Sequence, residues 1–179
     1  MGAAPYWYYT NYQPDLNAAL QALRESEFQA GRYYPAILFL DFPITESSPA
    51  PEAQHQSIEA AIEASDASGT RSILDILRVS EIPCPFSREE FKAAMLGGNF
   101  KILEEVFNTA FPIPSEELVA LFGTEYPTHE TIDEVIFDNA NPEASGDFWE
   151  SIDRGTARYI IVYEVDRPKE IFFIGYSFD

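Results

Sequence analysis

Two runs near the C-terminus constrain the fold of this chain more than any other feature. Residues 158–165 (Arg-Tyr-Ile-Ile-Val-Tyr-Glu-Val) and 170–178 (Glu-Ile-Phe-Phe-Ile-Gly-Tyr-Ser-Phe) are branched and aromatic, and Asp166-Arg167-Pro168-Lys169 between them is turn chemistry. Side chains of this kind suit a pleated, half-buried surface, so the pattern predicts an antiparallel hairpin that belongs to the core sheet. Alternation along the strand places Ile161 and Tyr163 on one face and Ile160 and Val162 on the other. At least one of these sets is expected to be buried.

Upstream, Tyr6 to Thr10 is a short aromatic run that reads as an edge strand with one face on the core. Pro14 opens a helix in which Leu16, Ala19, Leu20 and Leu23 recur at helical spacing, and Gly31 sits where a left-handed cap is expected. Ala36 to Phe42 reads as a short buried strand, and residues 43–56, with three prolines, as an exposed loop. Ser57 caps a second helix carrying Ile58, Ala61 and Ile62, which ends before Gly69. The branched run from Thr70 to Val79 reads as a central strand. Ser87-Arg-Glu-Glu90 is a capping box and predicts a helix to Leu96, ended by Gly97-Gly98. Phe100, Leu103, Val106 and Phe107 give a further amphipathic stretch up to Pro112. Ser115 and Thr131-Ile-Asp-Glu134 start two short helices, and Asp147 to Arg154 adds a last turn or two. Strands at both ends of a helical middle, without alternating β and α units, predict an α+β fold with a mostly antiparallel sheet and several short helices. A length of 179 residues, 46% of them hydrophobic, suits one domain spanning 1–179 with a substantial core.

Charge bounds the partners. Thirty Asp and Glu stand against eleven Lys and Arg, a net charge of -19. Such a field repels phosphate backbones and attracts cations or basic proteins, so nucleic acid is not an expected partner. The acids crowd between Ile113 and Gly155, where Arg154 alone opposes them, and Glu116, Glu117, Glu130, Asp133 and Glu134 mark the expected acidic face. No apolar run approaches the ~18 residues of a membrane span, and the N-terminus lacks the pattern of a secretory leader. The single cysteine, Cys84, excludes an internal disulfide and a thiolate-rich zinc site within one chain. A cytoplasmic protein without a membrane partner is the expectation.

Catalytic motifs are sparse. His129-Glu-Thr-Ile-Asp133 resembles a zinc-protease HExxH with Asp as the second ligand, but Pro127 and Thr128 place His129 in a first helical turn, and no third ligand is identifiable. Cys84 between two prolines becomes a nucleophile only if His55 or His129 approaches it. Gly175-Tyr-Ser177 lacks the second glycine of a hydrolase elbow and reads as strand. Asp138-Asn-Ala-Asn141 begins like a calcium loop but meets Pro142. Neither phosphate-binding glycine motif occurs, so no cofactor is expected.

Several segments together resemble a group of bacterial proteins to which no function is assigned. They are Tyr8-Tyr-Thr-Asn-Tyr-Gln-Pro-Asp-Leu16, Glu27-Phe-Gln-Ala-Gly-Arg-Tyr33, Arg71-Ser-Ile-Leu-Asp-Ile76, Leu121-Phe-Gly-Thr124 and Glu170-Ile-Phe-Phe-Ile-Gly-Tyr-Ser177. The stretch 83–112 falls outside that pattern and reads as a variable insertion. The resemblance implies a compact bacterial cytoplasmic domain and carries no site residue.

Two functions compete on this reading. One is a non-enzymatic binding or regulatory module whose acidic surface meets a basic protein, an immunity protein against a basic nuclease toxin being one concrete form. The other is a small enzyme or ligand binder with a pocket of Tyr, Trp and carboxylates. Convergence of acids with a histidine inside a cleft favours the second, and an open acidic face favours the first.

Overall fold

The computed structural model describes residues 3–38, 42–138 and 140–178. Its frame is the hairpin of β5 (Ala157–Glu164) and β6 (Arg167–Tyr176), closed by Val165 and Asp166 at φ 48° and 61°. Two consecutive left-handed residues match the right-handed twist of the flanking strands, which is why the turn is tighter than the expected 166–169. Pro168 is accommodated by a register shift beside Tyr163.

β1 (Pro5–Asn11) pairs antiparallel with β6 on the other side. The sheet is completed by β2 (Ile44–Thr45), β3 (Arg78–Val79) and β4 (Thr109–Pro112), in the order β2-β1-β6-β5-β4-β3. The pairs β1/β2, β3/β4 and β4/β5 are parallel, so β6 alone runs against its neighbours. The fold is α+β in one domain, with a mixed sheet in which the antiparallel part is the long β1-β6-β5 centre. Each parallel pair requires a helical crossover. These are α1 (Leu16–Ala30) before β2, α3 (Arg88–Gly97) with α4 (Phe100–Val106) before β4, and α5 (Ser115–Phe122), α6 (His129–Ile136) and α7 (Pro142–Glu150) before β5. Helix α2 (Ile58–Ser65) follows β2.

Both faces of the sheet are covered. Tyr6, Tyr8, Tyr159, Ile171 and Phe173 pack with Leu20 and Leu23 of α1 and with Ile73 and Leu74. Ile160, Val162, Phe172 and Ile174 pack with Ile132 and Ile136 of α6 and Phe148 of α7. The expected burial of Ile160 and Val162 is therefore met. β1 is not an edge strand with one wet face, since Trp7 and Tyr9 pack on the second layer while Tyr6 and Tyr8 fill the first. A third, smaller core of Phe91, Val106 and Phe111 joins α3 and α4 to β4.

Four expectations change. Only Arg78–Val79 of the run 70–79 is strand, and Ile73–Asp75 is a turn of 3₁₀ helix. The Asp75 carboxylate accepts from the Thr70 amide and hydroxyl, both at 2.8 Å, and from the Arg71 amide at 3.2 Å, while Ser72 accepts from Leu74. Those side chains satisfy amides locally that a strand would pair across a ladder. For the strand expected at 36–42, residues 39–41 lie outside the described residues, and the flanking positions carry no strand before Ile44. The stretch beyond Val106 leaves the helix and enters the sheet as β4, and α7 begins earlier than expected, with Asn141 as its cap and Pro142 in its first turn. Among the described residues no helix is long and apolar enough to cross a membrane.

Candidate functional site

Helix α6 starts against the C-terminal end of β1, and its first turn builds the most connected polar cluster of the second layer. Thr128 caps the helix by accepting from the Thr131 amide, which fixes His129 at the first helical position. From there the imidazole reaches two carboxylates. Nδ1 lies 2.8 Å from Oε2 of Glu170 on β6, and Nε2 lies 3.4 Å from Oδ2 of Asp133 one helical turn on. The ring lies on that of Tyr9, with centroids 3.7 Å apart and planes 13° from parallel. The Tyr9 hydroxyl donates to Asp133 Oδ1 at 2.6 Å. Burial and the Asp133 carboxylate, in that order, push the Tyr9 hydroxyl far above its ordinary range, so it stays a donor.

Glu46, just beyond β2, belongs electrostatically to the same cluster. Desolvation raises its carboxyl above the ordinary value, Glu170 pushes the same way, and His129 and the Tyr9 amide oppose them. Beside the histidine opens a cleft of about 420 Å³ lined by Thr128, His129, Glu130, Glu164, Lys169 and Glu170. Lys169 on its rim is already bonded to Glu164.

The expected acidic face is divided. Glu130 lines this cleft, and Asp133 is turned inward onto Tyr9 and His129. Glu134 is exposed on α6. Glu116 and Glu117 sit in the first turn of α5, where Glu117 acts on Arg158 at the far end of β5. Glu170 of the cleft, Glu46 behind it at the end of β2, and the partner from β1, Tyr9, were not singled out by the sequence. Tyr9 and Asp133 lie 124 positions apart, and no local pattern joins them.

The other motifs resolve separately. His55 is bonded to the Tyr33 hydroxyl at 2.9 Å, and Cys84 lines a cavity with Arg88 and Arg158, so neither histidine approaches the thiol. Gly175 is a packing glycine of β6, because a Cβ there would stand 2.6 Å from the Tyr6 hydroxyl and 2.7 Å from the Thr156 carbonyl. Of the calcium-like segment, residue 139 lies outside the described residues and Asn141 caps α7. Among the described residues no group of three or more His, Cys, Asp or Glu has the geometry to hold a metal ion.

No family model matches the chain, and neither a search of curated proteins nor one of solved structures finds a match.

Proposed function

We propose that this chain is a non-enzymatic binding module that recognises a basic protein, and that the cleft beside His129 receives a cationic side chain of that partner. The observation that carries the reading is the convergence of Glu130, Glu164 and Glu170 on one cleft, with Asp133 and Glu46 behind them. A lysine or arginine entering there exchanges water for charge-assisted hydrogen bonds, and the net charge of -19 steers its approach. An immunity-type role against a basic toxin in a bacterial cytoplasm is the concrete form this reading takes.

Convergence of acids with a histidine in a cleft is the arrangement expected of an enzyme or small-ligand binder, and it keeps that reading as the alternative; the commitment of the individual groups weighs against it. A general base needs a free lone pair facing substrate. Both nitrogens of His129 face carboxylates, and the Tyr9 hydroxyl is committed to Asp133. The histidine thus acts as a strut inside an acidic site.

The test is a titration of the isotope-labelled protein with a lysine-rich peptide, followed by amide shifts. Perturbations should gather at 128–130 and 162–170. Shifts spread evenly over the acidic surface would reduce the interaction to counterion condensation and remove the cleft from it.

A further inference from the structure

At the opposite end of β5 from the His129 cleft lies a site of different chemistry. A cavity of about 430 Å³ has Arg158 in its wall, together with Cys84, Arg88 and Asp153. Among the described residues the Arg158 guanidinium makes a single hydrogen bond, from Nη2 to the Ser151 carbonyl at 3.2 Å, and it lies 5.8 Å above the centre of the Phe111 ring. It makes no ion pair among the described residues, although the chain carries nearly three acids for every base. Burial lowers its pKa, and Cys84, Asp153 and Glu117 oppose that shift from a distance. Arg32 by contrast holds the Glu27 carboxylate at 2.6 and 2.8 Å. A guanidinium carries five donors in a planar fork, so most of the fork at Arg158 has no acceptor among the described residues.

An apolar groove of about 660 Å³ adjoins this cavity and shares Arg88, Phe91, Glu150 and Asp153 with it. Met95, Leu96 and Trp149 give the groove its apolar wall, and Leu96 is 92% exposed. Arg88 stands between the two spaces, held only at 3.9 Å from Glu150 and 3.7 Å from Asp153. A mostly apolar pocket with a few convergent polar groups is the usual form of a small-molecule site.

We propose that these two spaces form one binding site for a small amphipathic carboxylate, with the carboxylate on the Arg158 fork and its apolar body along Phe91, Met95 and Leu96. A planar, singly charged head suits the site better than a phosphate, because Asp147, Glu150 and Asp153 line the same cavity and would repel a dianion. Binding supplies an anionic partner to Arg158, which makes no ion pair among the described residues, and covers exposed apolar surface.

Calorimetric titration of the full chain with octanoate, octanol and inorganic phosphate tests this. Octanoate should bind one to one, and octanol and phosphate at least tenfold more weakly. Arg158→Gln should weaken octanoate at least tenfold, with Arg158→Lys between the two because it keeps charge without the fork. Leu96→Glu provides a variant that cannot disturb the core, and it should weaken octanoate by placing a carboxylate along the path of the chain. Absence of octanoate binding would overturn the proposal, as would octanol or phosphate binding equally well. Affinity unchanged in both Arg158→Gln and Leu96→Glu would overturn it too.

Discussion

Tyr9 and His129 lie ring on ring, 3.7 Å between centroids, joining the C-terminal end of β1 to the first turn of α6. The phenol hydroxyl completes the join through Asp133. Hydrogen bonds to charged groups contribute roughly 1.5–3 kcal/mol each, whereas the stack depends on the ring alone. Tyr9→Phe should therefore cost about 1.5–3 kcal/mol in urea unfolding and leave the slope unchanged. Tyr9→Ala should cost clearly more, since it removes stack and bond together.

A second prediction concerns pH. Burial raises the Asp75 carboxyl from its ordinary 3.8 to about 6, against the pull of its bonds from Thr70 and Arg71. Below the unfolded value the group is protonated in both states. Between the two values the native state binds the extra proton, so stability falls as pH rises from about 4 to about 6 and is flat in this group beyond. At ~1.4 kcal/mol per unit the change is about 3 kcal/mol. Urea unfolding across pH 4–7 should show Asp75→Asn gaining on the wild type by about that amount as pH rises. A constant difference between the two proteins would remove Asp75 from the pH response.

The third prediction tests the centre of the sheet. Phe172 and Phe173 are fully buried on opposite faces, and Gly175 admits Tyr6 against the β6 backbone. Phe172→Ala and Phe173→Ala should each cost about 3–5 kcal/mol. Gly175→Ala should also destabilise, because the added methyl meets both the Tyr6 hydroxyl and the Thr156 carbonyl. Deleting residues 168–179 should abolish cooperative thermal unfolding, and a deletion variant that unfolds near the full protein's midpoint would make the hairpin peripheral.

The legible parts of this fold are those whose signal is local and long enough to repeat. The hairpin strands, the 15-residue α1 ended by Gly31, and the Ser87 capping box are of this kind, although Asp15 rather than Pro14 sets the start of α1. β2, β3 and β4 span two to four residues, too few for any period to declare itself, and their parallel partners lie beyond a helix. Their absence from the sequence pattern is what made the sheet look mostly antiparallel. The candidate cleft was half legible. Glu130 and Asp133 stand out in a run of acids, but Glu170 looks like the polar start of a strand until β6 brings it to His129. Asp133, singled out as surface charge, is held by a tyrosine that reads as core.

A fourth prediction separates the two groups of acids. Glu116 and Glu117 lie in α5 and outside the cleft, so Glu116→Gln with Glu117→Gln should change the salt dependence of partner association only modestly. Glu130→Gln with Glu164→Gln, both in the cleft, should slow association more at low salt, and the difference should fade as the Debye length shrinks from about 10 Å at 0.1 M to about 3 Å at 1 M. Stopped-flow mixing with a lysine-rich peptide across a salt series reads both.

The central claim is that the His129 cleft, rather than the charge of the whole molecule, captures a cationic side chain. The direct measurement compares the affinity of that peptide for the wild type, for Glu130→Gln/Glu164→Gln in the cleft, and for Glu104→Gln/Glu105→Gln on α4. Both double variants lose the same charge, so any bulk effect is matched. With exposed pairs worth about 0.2–1 kcal/mol each, the cleft variant should bind roughly five- to tenfold more weakly and the α4 variant within about twofold of the wild type. Equal losses in the two variants would contradict the account and leave the acidity without a site.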